Sequence, residues 1–159
     1  MKIAYIDVQN IHRKTVDFNW IIDWNKFLIY LKQNCKIDIV YYAVWYLSKY
    51  DKFYDYLSSL WYSLLFKKVT ILPNWSIKWN VDIDIAIRSI FDFFEEWLEK
   101  AIIVSNDGDY NTLVDVLRQK WVFDRLMIVD YTSASKQLRK SAWPYIQDIQ
   151  RIKHLIEKT

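Results

Sequence analysis

Of the 159 residues in this chain, Gly108 alone can take a left-handed backbone without a steric cost. Every other helix end and tight turn must be built from residues that resist that conformation. Nine tryptophans accompany the one glycine, where a soluble protein of this length carries about eleven glycines, roughly 7%. Trp61 and Trp121 each follow an amphipathic helical stretch (Lys52 to Leu60, Asn111 to Lys120) and precede strand formers. That is the place where a left-handed residue, usually Gly, ends a helix. Trp97 closes Ser89 to Glu96 in the same way, Asn19-Trp20 and Asn74-Trp75-Ser76 look like Asn-Gly turns with the second residue exchanged, and Trp143 stands before Pro144.

A non-glycine residue in the left-handed region costs roughly 1–2 kcal/mol, so several would consume much of a marginal stability of about 5–15 kcal/mol. One account relieves all these sites together: the gene comes from a lineage in which UGA encodes glycine, and Trp20, Trp61, Trp75, Trp79, Trp97, Trp121 and Trp143 are glycine in the native protein. The other account keeps them as tryptophans, enriched for packing or nucleic-acid stacking. Trp24 reads as an ordinary residue of a first helical turn, and Trp45, inside a strand, fits either account.

The hydrophobic fraction of 53% supports one ordinary domain over residues 1–159 with a real core. A formal charge of +3 permits nucleic-acid binding without demanding it. The single cysteine, Cys35, has no internal partner, and two histidines, His12 and His154, give no zinc spacing. A reducing cytoplasm fits this usage. The apolar run before Asp7 is too short for a signal-peptide core. Lys and Asp interrupt the aromatic stretches before the ~18 apolar residues of a membrane span, so no membrane association is expected.

Lys2 to Val8 and Ile37 to Tyr46 read as buried strands, with Asp23 to Gln33 placing Trp24, Phe27, Leu28 and Leu31 at helical spacing between them. Ser48 to Leu60 reads as a helix and Tyr62 to Leu72 as a strand. Val81 to Phe94 carries Ile83, Ile87, Ile90, Phe91 and Phe94 at helical intervals. Ala101 to Val104 is a strand, Tyr110 to Gln119 a helix with Leu113, Val116 and Leu117 inward, Arg125 to Asp130 a strand and Ser135 to Ala142 a short helix. Ile146 to Leu155 takes no clear assignment. This alternation specifies a three-layer α/β/α fold with a mostly parallel central sheet.

In such sheets the functional crevice lies beyond the carboxyl ends of the strands, where strand order reverses. The first strand ends in Asp7-Val8-Gln9-Asn10, a later one in Ser105-Asn106-Asp107-Gly108-Asp109, and Asp82 with Asp84 opens the helix after Lys78-Trp79-Asn80-Val81. If the two strands are neighbours, Asp7, Asp82, Asp107 and Asp109 can converge on one small volume. Their mutual repulsion would be relieved by a divalent cation, and oxygen ligands suit Mg²⁺ or Mn²⁺. Taken singly, each acid is equally an N-cap or a turn former. Asp84, two residues after Asp82, points elsewhere on the helix and has a lesser role.

Ile6-Asp7-Val8-Gln9-Asn10-Ile11, Lys78-Trp79-Asn80-Val81-Asp82 and Val104-Ser105-Asn106-Asp107-Gly108-Asp109-Tyr110, followed by Leu113, Leu117, Arg118 and Lys120-Trp121, resemble the NYN domain family. The resemblance is to its LabA-like branch, the DUF88 group, within the PIN-like nuclease superfamily. Ser133 to Ala142, with Ser135, Leu138, Arg139 and Ala142, is similar to the family's closing Ser-x-x-Leu-Arg-x-x-Ala segment. The chain departs from the family pattern at Val8, Trp79 and Trp121, where Gly is common. The resemblance implies a PIN-like fold and metal-dependent cleavage of RNA. It makes Asp7, Asp82, Asp107 and Asp109 the catalytic, metal-binding acids, with Asn10 and Ser105 supporting them and Mg²⁺ or Mn²⁺ as cofactor. RNA is the expected partner, and homo-oligomerisation is left open.

Lys78 is placed to meet a phosphate, Lys136, Arg139 and Lys140 form a basic cluster near the last strands, and His12, Arg13 and Lys14 stand at the rim. Each is equally a solvated charge or, for His12, a packed loop residue. The many tyrosines, including Tyr41, Tyr42 and Tyr46, fit sheet core better than a stacking platform. The alternative function is a non-catalytic RNA-binding or regulatory module on the same fold. Gln9 occupies the place where a phospho-aspartate hydrolase wants a second Asp, and no Walker-type or dinucleotide glycine loop is present.

Overall fold

The protein is described by a computed structural model covering residues 1–67 and 81–159. Lys78, Trp75, Trp79 and the far end of the strand expected to reach Leu72 lie outside these described residues. Six parallel strands form one sheet in the order β3-β2-β1-β4-β5-β6: β1 (Lys2–Asp7), β2 (Ile39–Trp45), β3 (Tyr62–Lys67), β4 (Lys100–Val104), β5 (Phe123–Ile128) and β6 (Ile146–Asp148). The chain runs outward from β1 through β2 to β3, then returns to the other side of β1. Strand order therefore reverses between β1 and β4, which pair in register from Lys2 with Lys100 to Ile6 with Val104.

The alternation of side chains along β1 divides the core into two layers. Ala4 and Ile6 pack with Ile11 of α1 (Val8–Asp17), Phe27 and Leu31 of α2 (Trp24–Asn34), Leu57 of α3 (Asp51–Ser59) and Ile156 of α7 (Lys153–Ile156). Ile3 and Tyr5 pack on the opposite face with Ile85 of α4 (Asp82–Phe94), Leu113, Val114 and Leu117 of α5 (Asn111–Gln119) and Leu138 of α6 (Lys136–Ala142). The three-layer expectation holds. Val116, expected inward on α5, is only half-buried, and Val114 takes its place.

Helix α4 inverts the usual pattern. Its apolar stripe of Ile83, Ile87, Ile90, Phe91 and Phe94 faces solvent, with Ile87 62% and Phe94 75% exposed, while Ser89 and Asp92 are fully buried. The buried carboxylate is satisfied: Tyr5 OH donates to Asp92 Oδ2 at 2.8 Å and Arg88 Nη2 to Oδ1 at 2.6 Å. Ile85 and that polar network hold the helix to the sheet.

The first five helices are each followed, one residue past the C-cap, by a left-handed residue: Asn19 (φ 59°), Lys36 (58°), Trp61 (73°), Glu96 (60°) and Trp121 (61°). Trp61 and Trp121 thus occupy the predicted position, 80% and 86% exposed. Three other tryptophan assignments are corrected. The left-handed residue near Trp97 is Glu96, and near Trp20 it is Asn19, while Trp20 itself is buried in the core. Trp143 has a φ of −57°, which any residue adopts. Trp24 is the first residue of α2, as its sequence context suggested. Gly108 has no positive φ. Its need for glycine is space, because a Cβ there would stand 2.8 Å from Ser135 Oγ at the start of α6.

Candidate functional site

The reversal of strand order places the end of β1 beside the loop after β4, and the local sequence turns that proximity into a hydrogen-bonded unit. Asp7 closes β1 and caps α1, its Oδ1 accepting from Asn10 N–H at 3.2 Å. The other oxygen, Oδ2, accepts from Ser105 Oγ at 3.4 Å and Tyr110 OH at 3.3 Å. Asn10 reaches across to the loop, its Oδ1 accepting from Asn106 N–H at 2.8 Å. Asn106 in turn ties the loop to the end of β5. Its Oδ1 accepts from Val129 N–H at 2.7 Å, and its Nδ2 donates to Val129 O at 2.9 Å and Ser133 Oγ at 3.0 Å.

Asp107 also caps a turn, its Oδ1 accepting from Asp109 N–H at 3.1 Å, while its own N–H donates to Ser105 Oγ at 3.0 Å. The cap takes Oδ1 of each acid; Oδ2 of Asp107 accepts no hydrogen bond among the described residues, whereas Oδ2 of Asp7 is held by Ser105 and Tyr110. Asp7 and Asp107 face one cavity of about 360 Å³, lined with them by Gln9, Asn10, Arg13, Trp45 and Val81. Asp82 and Asp109 line a separate cavity between α4 and α5, with no lining residue in common with the first.

Electrostatics register the crowding. Burial pushes the Asp7 carboxyl from 3.8 up to about 6, and the Asp107 charge adds to the rise against the hydrogen bonds from Asn10, Tyr110 and Ser105. Asp82 is also raised, first by burial and then by the charges of Asp107 and Asp109, with backbone hydrogen bonds opposing. The Tyr110 hydroxyl is held protonated far above its ordinary range, by burial first and then by the charges of Asp7 and Asp82. It is therefore a fixed hydrogen-bond donor to Asp7.

The four sequence-selected acids come together in part. Among the described residues, no group of three or more His, Cys, Asp or Glu stands close enough to hold a metal ion. What the structure offers is the Asp7 and Asp107 pair in one cavity. That donor set fits Mg²⁺ or Mn²⁺, which bind through one or two carboxylates and keep several waters. Asp84 is turned away, in an ion pair with Lys67 at 2.9 Å. Of the basic candidates, Lys136 is exposed at the start of α6, next to the turn after Gly108. Arg139 lies over the Tyr131 ring at 4.6 Å, and neither it nor Lys136 lines a carboxylate cavity.

Two residues of the site escaped selection from the sequence. Tyr110 and Asn106 lie inside the motif, but nothing in their spacing distinguishes them from turn residues. Arg13 stood only among rim candidates. Its position on the face of α1 that carries Gln9 and Asn10 was the available signal, and it depended on recognising α1 as a helix.

Comparison with known proteins adds three findings. The NYN domain profile matches residues 2–149. The low amplitude and bright protein LabA of Synechococcus elongatus is 28% identical over 166 residues, covering 98% of this chain and 87% of that protein. A Vibrio parahaemolyticus protein of unknown function, known from a crystal structure, superposes with a TM-score of 0.77 at 22% identity, covering 93% of this chain and 92% of its own. That last likeness speaks to the fold alone.

Proposed function

This chain belongs to the NYN domain family, a PIN-like nuclease family, and from that premise we propose that it is a ribonuclease hydrolysing RNA phosphodiester bonds with Mg²⁺ or Mn²⁺. The observation that carries this reading is the pair of acids at the strand-order reversal, Asp7 and Asp107, sharing a cavity with the cationic Arg13. Asp7 and Asp107 would hold the cation, with Asp82 and Asp109 at its edge. A cation so held supplies charge stabilisation at the phosphoryl oxygens and an activated water. Ser105, Asn10, Asn106 and Tyr110 keep the two acids in place. Arg13, on the wall of that cavity, would meet the phosphodiester backbone, and Lys136, exposed at the start of α6, and Lys78, which precedes Asp82 in the chain, are proposed for the same role.

Purified protein is expected to cut a labelled single-stranded RNA with Mg²⁺ or Mn²⁺, and Asp107→Asn to abolish the cut. Cleavage that survives this substitution would remove the reading. The second reading, a non-catalytic RNA-binding module, draws on the fact that only two of the acids share one cavity. Saturable Mn²⁺ and RNA binding without any cleavage would favour it.

The proposal extends to Trp61 and Trp121 as glycine in the native protein. Support comes from their left-handed backbone and from side chains almost wholly in solvent, where they gain little from packing. Lys36 and Glu96 adopt the same conformation without being glycine, so the geometry favours glycine without requiring it. TGG codons at both tryptophans would refute the recoding.

A further inference from the structure

Beside the carboxylate cavity lies a second one of about 370 Å³ with a different lining. Tyr42, Trp45 and Tyr54 form its buried floor, and Tyr50 and Phe53 stand at its mouth, 45% and 38% exposed. The Tyr54 hydroxyl is committed, donating to Trp45 O at 2.9 Å and accepting from Leu47 N–H at 3.3 Å. That fixes one ring and leaves the exposed rings of Tyr50 and Phe53 as contact surfaces. Gln9 and Trp45 line both cavities, so the two share a wall. Among the described residues no acidic side chain lines the aromatic one, while His12 and Lys158 stand on its wall. The side chains of Gln9, His12 and Lys158 make no hydrogen bond among the described residues.

We infer that this cavity is a nucleobase subsite, taking one unstacked base of the RNA strand whose phosphate lies against Asp7 and Asp107; this rests on the ribonuclease reading. Its size is that of a small-ligand site, mostly apolar with a few polar groups that orient the ligand. Aromatic rings beside a cationic rim are the combination by which single-stranded nucleic acids are held: bases stack, the backbone meets positive charge, and the preference for sequence is weak. The Gln9 amide, with one acceptor and two donors at the junction, is placed to meet a base edge on one side and the phosphodiester on the other. The sequence assigned the tyrosines to the sheet core. The structure confirms this for Tyr42, which is buried, leaves Tyr41 half-buried, and corrects it for Tyr46, which follows the end of β2 and is exposed; Tyr50, on the turn before α3, is open as well.

The test is fluorescence anisotropy with labelled 2′-O-methyl oligouridylate, and with the same strand carrying abasic residues, with Ca²⁺ in place of Mg²⁺. The protein is expected to bind the base-bearing strand about tenfold more tightly, and Tyr50→Ala with Phe53→Ala to erase that preference while leaving the abasic strand unaffected. Both substituted residues are exposed, and an unchanged melting temperature checks that the fold survives. Equal affinity of the unsubstituted protein for the two strands would overturn the inference. So would a double variant that keeps the preference, or a dimer that dissociates on the double substitution, since the cavity would then serve a second copy. Cleavage without base dependence would sink the subsite alone, whereas base-dependent binding with no cleavage under Mg²⁺ would sink the ribonuclease reading alone.

Discussion

Asp7 and Asp82 both begin a helix, and the protein treats them differently. Asp7 is 6% exposed, caps α1, and receives hydrogen bonds from Ser105 and Tyr110 on the neighbouring segment. Asp82 starts α4, whose cap residue Val81 makes no side-chain capping bond, and the helix turns its apolar stripe to solvent. The first acid is positioned by the register of two parallel strands, so its place is fixed as firmly as the sheet. The second is positioned by one helix held through Ile85 and the Tyr5–Asp92–Arg88 network. The difference separates a preorganised half of the site from a half whose geometry depends on α4, and electrostatic preorganisation is where catalysis gains most.

The largest expected effect breaks the preorganised half. Asp7→Asn should lower cation-dependent RNA cleavage by roughly a thousandfold, on the scale of losing one preorganised electrostatic group, while Asp84→Asn should change it less than about twofold because Asp84 is paired with Lys67 at 2.9 Å. Equal losses in single-turnover assays would erase the distinction. Next comes the packing of α4. Ile85→Ala should cost about 2–5 kcal/mol in a denaturant titration, and Ile87→Ala should stay within about 0.5 kcal/mol. A large loss at Ile87 would mean that the apolar stripe is covered in solution.

The acidity of Asp7 sharpens the comparison further. Its folded value, about 6, lies above the ordinary 3.8, so the stability it contributes is full below pH 4 and is lost as pH rises through 6. At about 1.4 kcal/mol per unit, the charged form costs the cation-free protein roughly 3 kcal/mol at pH 8. Asp7→Asn should therefore be the more stable protein at pH 8 by up to about that amount, with the gap closing by pH 4. A gap that is constant in pH would show that Asp7 is not strained by its burial. The smallest effect concerns the helix ends: Trp121→Gly should stabilise by about 1–2 kcal/mol, and Trp143→Gly, at a φ of −57°, should not stabilise at all.

Most of the sheet was legible because buried parallel strands are continuous apolar runs, as in Ile3 to Ile6 and Ala101 to Val104. The acids at the ends of β1 and β4 were legible for the same reason, since each run stops at a polar cluster. Helix α1 was not, because Val8–Asp17 buries Asn10 and Thr15 alongside Val8 and Ile11, leaving too few apolar positions to set a period. The direction of α4 was hidden for the opposite reason. Its apolar spacing is regular, but the face that packs on the sheet carries Ser89 and Asp92, and only their partners make that burial tolerable. The end of the chain resisted assignment because β6 has three residues and α7 four. Among the tryptophans, the helix-end argument succeeded at Trp61 and Trp121 and failed by one residue at Trp97, as helix boundaries shift by a residue or two, while the turn reading of Asn19-Trp20 put the left-handed residue at Trp20 where the structure has it at Asn19.

The account turns on whether the Asp7 and Asp107 pair holds a cation. The most direct measurement is Mn²⁺ binding followed by electron paramagnetic resonance at pH 7.5 in the unsubstituted protein, Asp7→Asn, Asp107→Asn and Asp84→Asn. The account predicts saturable binding that weakens at least about tenfold in the first two variants and is unchanged in Asp84→Asn. Equal binding in all four proteins, or none in any, would contradict it.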